Sequence, residues 1–499
     1  MQEAQSDDTF DVVVVGFGGS GAAAAIEAHD RGARVLILEK ATEETHAPTT
    51  ALLAGGAMFA GNADSAHVYL SACAGKVVPH DVSRAWAEEA ATLRSWIDGL
   101  SPSTFRTAEP VPSAEFDDID GADSIISSAG EARTSDGTWA KGSGAELFAA
   151  LRHAVEKRGI EVRFGARAHQ LTVDNDRVNG VRFRTVGGDE YIQATSVILA
   201  TGGFEFDDEL KRQYLTGGDQ VHFYGSQHAT GDGLRMAQAV GADLWHMSRM
   251  AGRGVGHFVT SEGAVVNTIM LLDLKWLGRA DQVGYIITDG NGRRFADESV
   301  QAKLGHSFFY EMLYYDAESG TFPRIPSYWI FDSRRFGAGP LSIPRYGASG
   351  GGGHSWSDDN VAETDDGWIH VGATVEEVAR AAGIGNPSVV ADEVERYNKA
   401  CVGGEQDAFR PSGSDMTPLD QPPYYCVKLW PGGTNTSGGP RRDAHGRVVH
   451  VFGHPIPGLF ACGENGSIIG ERYPGLYAYY SEVLCTGRIA GRNAVHPVK

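Results

Sequence analysis

The sequence predicts an α/β fold whose first element is a βαβ unit with parallel strands. Three observations predict it. A β-branched run at 11–15 leads into Gly16-Phe17-Gly18-Gly19-Ser20-Gly21; an Ala-rich helical segment follows at 22–30; and a second apolar run at 34–38 closes on Glu39. Each glycine has a separate task in such a unit: Gly16 makes the tight turn, Gly18 lets backbone approach a pyrophosphate, and Gly21 lets the helix sit close to the strand. The helix N-terminus supplies amides for the phosphates, and Glu39 supplies an acceptor for a ribose hydroxyl. A GxGxxG alone is a weak signal. With both strands, the helix and the acid at the right distance, it indicates a bound dinucleotide.

The later elements fit the same plan. Helical periodicity covers 144–159, and short strands follow at 162–164, 169–173 and 178–184. The apolar run at 196–200 ends in Thr201-Gly202-Gly203, a glycine pair at the carboxyl edge of the sheet. Thr230-Gly231-Asp232-Gly233 opens a helix at 234–241 and offers amides together with a carboxylate. From about 250 to 420 the chain turns aromatic and rich in loops, with a glycine run at 350–353 that reads as a surface loop. This middle part is expected to be an α+β substrate domain, or cap, inserted between 1–249 and 421–499. The last part carries a strand at 458–462, Gly463-Glu464, and a closing helix at 479–494.

Composition sets the outer limits. The 499 residues include 42% hydrophobic residues and 65 glycines, as in a folded globular chain of two or three domains. The net charge of −21 argues against nucleic-acid or anionic-membrane partners, which are bound by clustered Lys and Arg. The acidic N-terminus and the glycine-broken first apolar run predict neither a signal peptide nor a membrane span, so the chain reads as cytoplasmic. The five cysteines show no CxxC, haem or iron–sulfur spacing, and the 17 histidines form no metal-ligand pattern, so no metal is expected.

These motifs, in this order, resemble one superfamily: the flavoprotein subunits of fumarate reductase and succinate dehydrogenase, and more closely the 3-ketosteroid dehydrogenases and related FAD-dependent reductases. The pieces that carry the resemblance are GFGGSG, Glu39-Lys40, Gly55-Gly56, ATGGFE at 200–205, TGDGLRMAQAVGA at 230–242, GRRFADE at 292–298, TNTSGGPRRD at 434–443, GLFACGENGS at 458–467, YPG at 473–475 and GRIAG at 487–491. The resemblance implies a glutathione-reductase-type, Rossmann-like FAD-binding domain, split in sequence by the cap, with FAD held non-covalently. It assigns Gly16, Gly18, Gly19, Gly21 and Glu39 to the ADP half, and Thr201, Gly202, Gly203, Asp232 and Glu464 to ribose, ribityl or pyrophosphate contacts. Ser20, Lys40, Thr50, Gly55, Gly56, Ala168 and Tyr480 complete the expected cofactor-binding set. The single GxGxxG leaves no second dinucleotide site for a nicotinamide.

The family chemistry adds or removes hydrogen across a carbon–carbon bond beside a carbonyl, with a hydride exchanged at the flavin and a proton handled by the protein. In the steroid enzymes a tyrosine of the YPG turn handles the α-proton, which the resemblance carries to Tyr473. A phenol, with a reference pKa of about 10, needs help to act as a base at neutral pH. The tyrosine that follows the GRRF motif in those enzymes is absent from Ser299-Val300-Gln301-Ala302, and His306 and Tyr310 just downstream are the candidate substitutes. Two glycines usual after the turn are Leu476 and Tyr477, and Pro48-Thr49-Thr50-Ala51 stands where relatives carry Gly-Gly-Asn-Ser/Thr.

The expected substrate is a small carbonyl-conjugated molecule, a ketone or enone of steroid-like or polycyclic type. The cap aromatics Trp276, Phe308, Phe309, Tyr314, Tyr315, Tyr328 and Trp329 suit such a ligand or a plain core. An unsaturated carboxylate is the alternative, kept open by Arg249, Arg253, Arg279 and Arg324 but weakened by Asn435, where the fumarate enzymes carry histidine. A flavoprotein with a degenerate site is the non-enzymatic alternative. His46 lies in the loop where some relatives attach flavin covalently, at a longer spacing from Gly55.

Overall fold

The structure is a computed structural model that describes residues 9–274, 282–300, 306–343, 354–403, 406–410 and 416–495. Trp276, Arg279, Gln301, Ala302 and the glycine run at 350–353 lie outside the described residues. The chain divides into two compact units: Met1–Tyr214, Ser226–Met250 and Asn435–Lys499 form the first, Leu215–Gly225 and Ala251–Thr434 the second. Compared with the expected boundaries, 421–434 joins the middle part of the chain. The reason is pairing: from Tyr424 to Leu429 the long strand Tyr424–Thr436 lies antiparallel to Ser327–Asp332.

The first unit is built on an eight-stranded sheet. Thr9–Val15 lies parallel between Val35–Leu38 and the end of Gly188–Leu199, and the latter lies parallel to Pro455–Ala461. The near-continuous apolar sequence of Thr9–Val15 follows from this central place, since a strand covered on both faces has no polar side to alternate. The apolar run at 196–200 proves to be only the end of a twelve-residue strand, whose polar first half pairs antiparallel with Arg177–Thr185. The helix Ala478–Val495 packs on Gly19–His29. In GRIAG, a Cβ on Gly487 would stand 2.4 Å from the Ser20 carbonyl oxygen and one on Gly491 2.2 Å from that of Ala24, so the four-residue glycine spacing is what lets the helices meet. The helices Ala63–Ala74 and His80–Leu100 also belong to this unit.

The second unit has a seven-stranded sheet in which Tyr424–Thr436 pairs with four strands. The helices Val375–Ala382 and Pro387–Cys401 cover it with Val378, Val390, Val394 and Tyr397. GRRFADE is a framework motif here: Arg294 is ion-paired to Glu298 at 2.7 Å and to Asp407 at 2.6 Å, and Glu298 accepts the Ile287 amide at 3.2 Å. The aromatic stretch at 308–315 holds a single helical turn, Phe309–Met312. Phe308, Phe309, Tyr328 and Trp329 are core residues, while Tyr314 and Tyr315 are exposed. No helix among the described residues is long and apolar enough to cross a membrane, and no group of three or more of their His, Cys, Asp and Glu side chains is placed to hold a metal.

Candidate cofactor and active site

Parallel strands deliver their C-terminal residues to one edge of a sheet, and this is where open α/β sheets bind ligands. Here Thr9–Val15 leads to Gly16, Phe17, Gly18, Gly19 and Ser20; Val35–Leu38 to Glu39 and Lys40; Gly188–Leu199 to Ala200, Thr201 and Gly202; and Pro455–Ala461 to Glu464. All of them line one cleft. Thr50, Ala168 and Asp232 complete the predicted residues on its wall.

The cleft suits a dinucleotide diphosphate. The helix Gly19–His29 begins without a cap from the Gly18 position and without an acid in its first turn, so its positive dipole end faces the cleft unmatched by any acid of that turn, while the Gly19 amide itself donates to the Thr50 hydroxyl at 3.1 Å. Gly18 has φ −93°, and the nearest atom to a Cβ built on it, on Pro48, is 3.9 Å away. Neither conformation nor protein packing requires glycine at that point, whereas a phosphate lying on bare backbone does. Gly21 differs, because a Cβ there would stand 2.0 Å from the Gly16 carbonyl oxygen. The Thr201 hydroxyl is buried in the cleft wall with no hydrogen-bond partner, a polar group waiting for a ligand atom. The residues present therefore fit FAD.

Glu39 is buried and accepts the Phe17 amide at 2.9 Å and the Ala41 amide at 2.8 Å, which fixes its carboxylate at the end of its strand. His46 lies at this end too. Its ring stacks on Phe17 at 5.4 Å, meets Phe148 and Phe164 edge-on, and contacts the Phe17 carbonyl at 2.9 Å, with Glu39 3.8 Å away. Burial lowers its pKa against the opposing pull of Glu39. Boxed in beside Glu39, His46 has a packing task that its sequence position did not reveal. Asp232 is held by Lys40 at 2.7 Å and Arg167 at 2.8 Å, and Lys40 also reaches Thr230 at 2.7 Å. Burial alone would raise the Asp232 pKa; Arg167 and Lys40 outweigh it and keep the carboxylate ionised. Arg167 and Thr230 were not among the predicted site residues, because nothing local marks a partner 65 residues away in sequence.

The other predicted cofactor residues stand behind the wall. Gly55 abuts Ser143, Gly56 lies under the Tyr477 ring, and Gly203 is hemmed in by Thr436 and Glu205. The Tyr480 hydroxyl donates to the Thr50 carbonyl at 3.1 Å, anchoring the loop that carries Thr50. Glu464 accepts the Asn435 side-chain amide. Burial raises its pKa well above the usual carboxylate range, reinforced by Glu205 and Glu482.

Tyr473 is buried at 9% exposure, and its hydroxyl oxygen accepts the Tyr479 amide at 3.4 Å. Its turn is fixed from several sides. Pro474 offers its carbonyl to the Tyr69 hydroxyl at 2.7 Å, Leu476 donates its amide to Ser113 at 3.2 Å and accepts Ser127 at 2.6 Å, and Gly475 bridges to Ala114. Arg472 turns away to lie over Phe116. Tyr477 occupies the left-handed region at φ +63°, so the backbone geometry of a glycine is kept without the glycine. In the second unit, His306 contacts Arg253 at 3.1 Å; burial, then the Arg253 charge, holds its pKa well below normal, so it is a neutral acceptor for the guanidinium. Tyr310 is exposed and its ring lies tilted against that of Phe309, with the centroids 4.0 Å apart.

Comparison with known proteins agrees with this geometry. The FAD binding domain family matches residues 11–475. The chain is 29% identical to 4-oxocyclohexanecarboxylate 2-dehydrogenase of Sinomonas cyclohexanicum over 73% of this chain and 62% of that protein, so the match spans less than two thirds of that relative. It is 26% identical to a probable fumarate reductase of Shewanella frigidimarina over 98% of this chain and 75% of that one. Its fold matches the crystal structure of 3-ketosteroid delta1-dehydrogenase from Sterolibacterium denitrificans in complex with 1,4-androstadiene-3,17-dione, with a TM-score of 0.82 at 21% identity, covering 98% and 99% of the two chains. The chain belongs to the FAD binding domain family of flavoprotein oxidoreductases, alongside dehydrogenases and reductases of CH–CH bonds, and FAD is its cofactor.

Proposed function

We propose that this protein dehydrogenates, or in the reverse sense reduces, the α,β carbon–carbon bond beside the carbonyl of a cyclic ketone or enone, and that Tyr473 handles the α-proton. The observation that carries the reading is Tyr473 itself: a buried phenol on a turn tied down by Tyr69, Ser113, Ser127 and Ala114. A group that moves a proton gains from being fixed in advance, because its orientation costs nothing at the moment of reaction. Its oxygen accepts the Tyr479 amide, a further contact that holds the ring in place. Bound FAD supplies the hydride acceptor or donor. The relatives that act on 4-oxocyclohexanecarboxylate and on a 3-ketosteroid support a carbonyl beside the reacting bond.

Two side chains weigh against a dicarboxylate. Arg324 donates to the Glu311 carbonyl at 2.7 Å and lies over Phe295 and Tyr314, and Asn435 is bonded to Glu464. The test is anaerobic mixing with 3-ketosteroids and 4-oxocyclohexanecarboxylate while the flavin band is followed. A ketone of this class should bleach it, and Tyr473→Phe should slow bleaching roughly 10²–10⁴-fold with FAD still bound. Bleaching at the wild-type rate would remove Tyr473 from the mechanism, and bleaching by fumarate's reduced partner succinate alone would overturn the ketone reading.

A further inference from the structure

Beneath the cleft, two neighbouring residues at the end of one strand each hold a buried acid. Asn435 donates its side-chain amide to Glu464 Oε1, and Thr436 donates both its backbone amide and its hydroxyl, at 3.0 Å, to Glu205 Oε1. Glu205 is 2% exposed, and its second oxygen, Oε2, is buried with no hydrogen-bond partner. A carboxylate oxygen in that position carries an unsolvated charge, whereas a carboxylic acid there does not. Glu464 keeps one edge on the cleft wall. Glu482 lies close by, but it is committed to Arg442, the Ser467 hydroxyl and the Ile468 amide, so the cation of this neighbourhood is already matched. The other titratable groups facing the pair are Tyr479, bonded to Ser437, and Glu482 itself.

The cleft therefore asks a diphosphate with two negative charges to settle beside a carboxyl pair that is ion-paired to no cation among the described residues. Filling the cleft also strips water from the open edge of Glu464. Both changes favour the protonated form of the pair, and the proton comes from solvent. We propose that Glu205 and Glu464 act as a proton-accepting pair for the cofactor, so that FAD binding takes up a proton and Glu464 meets FAD as a neutral hydrogen-bond donor. The direction of the shifts supports this: burial holds Glu205 up to about 7 and Glu464 well above its normal value, with the Glu205 charge adding to the cost of ionising Glu464.

The experiment follows FAD release from the diluted holoprotein by flavin fluorescence between pH 6 and 9. Each pH unit above neutrality should weaken binding by up to about tenfold, the limit for one proton. Glu464→Gln, a neutral isostere, should bind FAD at pH 8 more tightly than wild type and lose the pH slope. A uniform weakening of the variant with the slope intact would make Glu464 a plain contact and overturn the pair. Calorimetry of FAD binding to wild type in two buffers of different ionisation enthalpy measures the proton uptake directly, with no variant needed. Equal heats would mean that no proton is taken up, and the proposal would fall. Neither readout involves substrate, so the outcome is independent of the Tyr473 reading.

Discussion

Gly18 and Gly21 stand three residues apart in one glycine-rich turn, yet the structure assigns them opposite sensitivities. At Gly18 the backbone, with φ −93°, suits any residue, and an added methyl would meet its nearest neighbour at 3.9 Å. In the cofactor-free protein Gly18→Ala should therefore be neutral or stabilising by about 0.4–1 kcal/mol, through the unfolded chain's lost freedom. The same methyl fills the space over which a diphosphate would lie. At the usual overpacking cost of about 1–3 kcal/mol, FAD should bind roughly 5- to 150-fold more weakly. At Gly21 a methyl would stand 2.0 Å from the Gly16 carbonyl oxygen, a backbone atom that can move only with its strand. Gly21→Ala should cost the fold about 3 kcal/mol even without cofactor. Urea unfolding of the deflavinated proteins, paired with FAD titration by fluorescence, separates the two effects. Wild-type FAD affinity in Gly18→Ala would mean that the diphosphate does not lie on this backbone, and the cleft assignment would have to be withdrawn.

Two further outcomes follow from strain and from charge. Tyr477→Gly and Tyr477→Ala both remove the ring from Gly56, but only glycine accepts φ +63° freely, so the glycine variant should be the more stable by about 1–2 kcal/mol in thermal melts. Equal melting temperatures would show that the left-handed backbone is not costly here. Glu205 has a folded pKa of about 7 against a reference value of 4.5, so it binds protons more readily when folded. Its contribution is fully present below the unfolded value and is lost as pH rises through 7. Glu205→Gln should therefore match wild type near pH 4.5 and exceed it in stability at pH 8; a constant difference across that range would contradict a buried, titrating Glu205.

What could be read from the sequence divides along a physical line. Gly16, Gly18, Gly21 and Glu39 announce themselves because each is a local demand of the backbone or of the residue that ends a strand, and the structure brings Gly16, Gly18 and Glu39 onto the cleft with Gly21 directly beneath. GRRFADE was equally conspicuous, but its Arg294–Glu298 pair serves the framework of the second unit, so a distinctive motif did not by itself distinguish structure from chemistry. The helices Ala63–Ala74 and His80–Leu100 carried ordinary signals, an Asn62 cap accepting the Ser65 amide at 3.0 Å and Gly75 at φ +79°, in a stretch without chemical motifs.

The charged layer of the site was hidden for a different reason. Lys40 and Arg167 reach Asp232 across 192 and 65 residues of sequence, and Thr436 reaches Glu205 across 231. In sequence Glu205 is one acid among 64, following a glycine pair that draws attention to the backbone. Its character comes from a strand end that gives one carboxyl oxygen two donors and the other none. Folding sets that imbalance, and it does so beside Glu464, which lines the cleft. A substitution that supplied a donor to Oε2 should therefore make FAD binding insensitive to pH while every glycine of the turn stays in place.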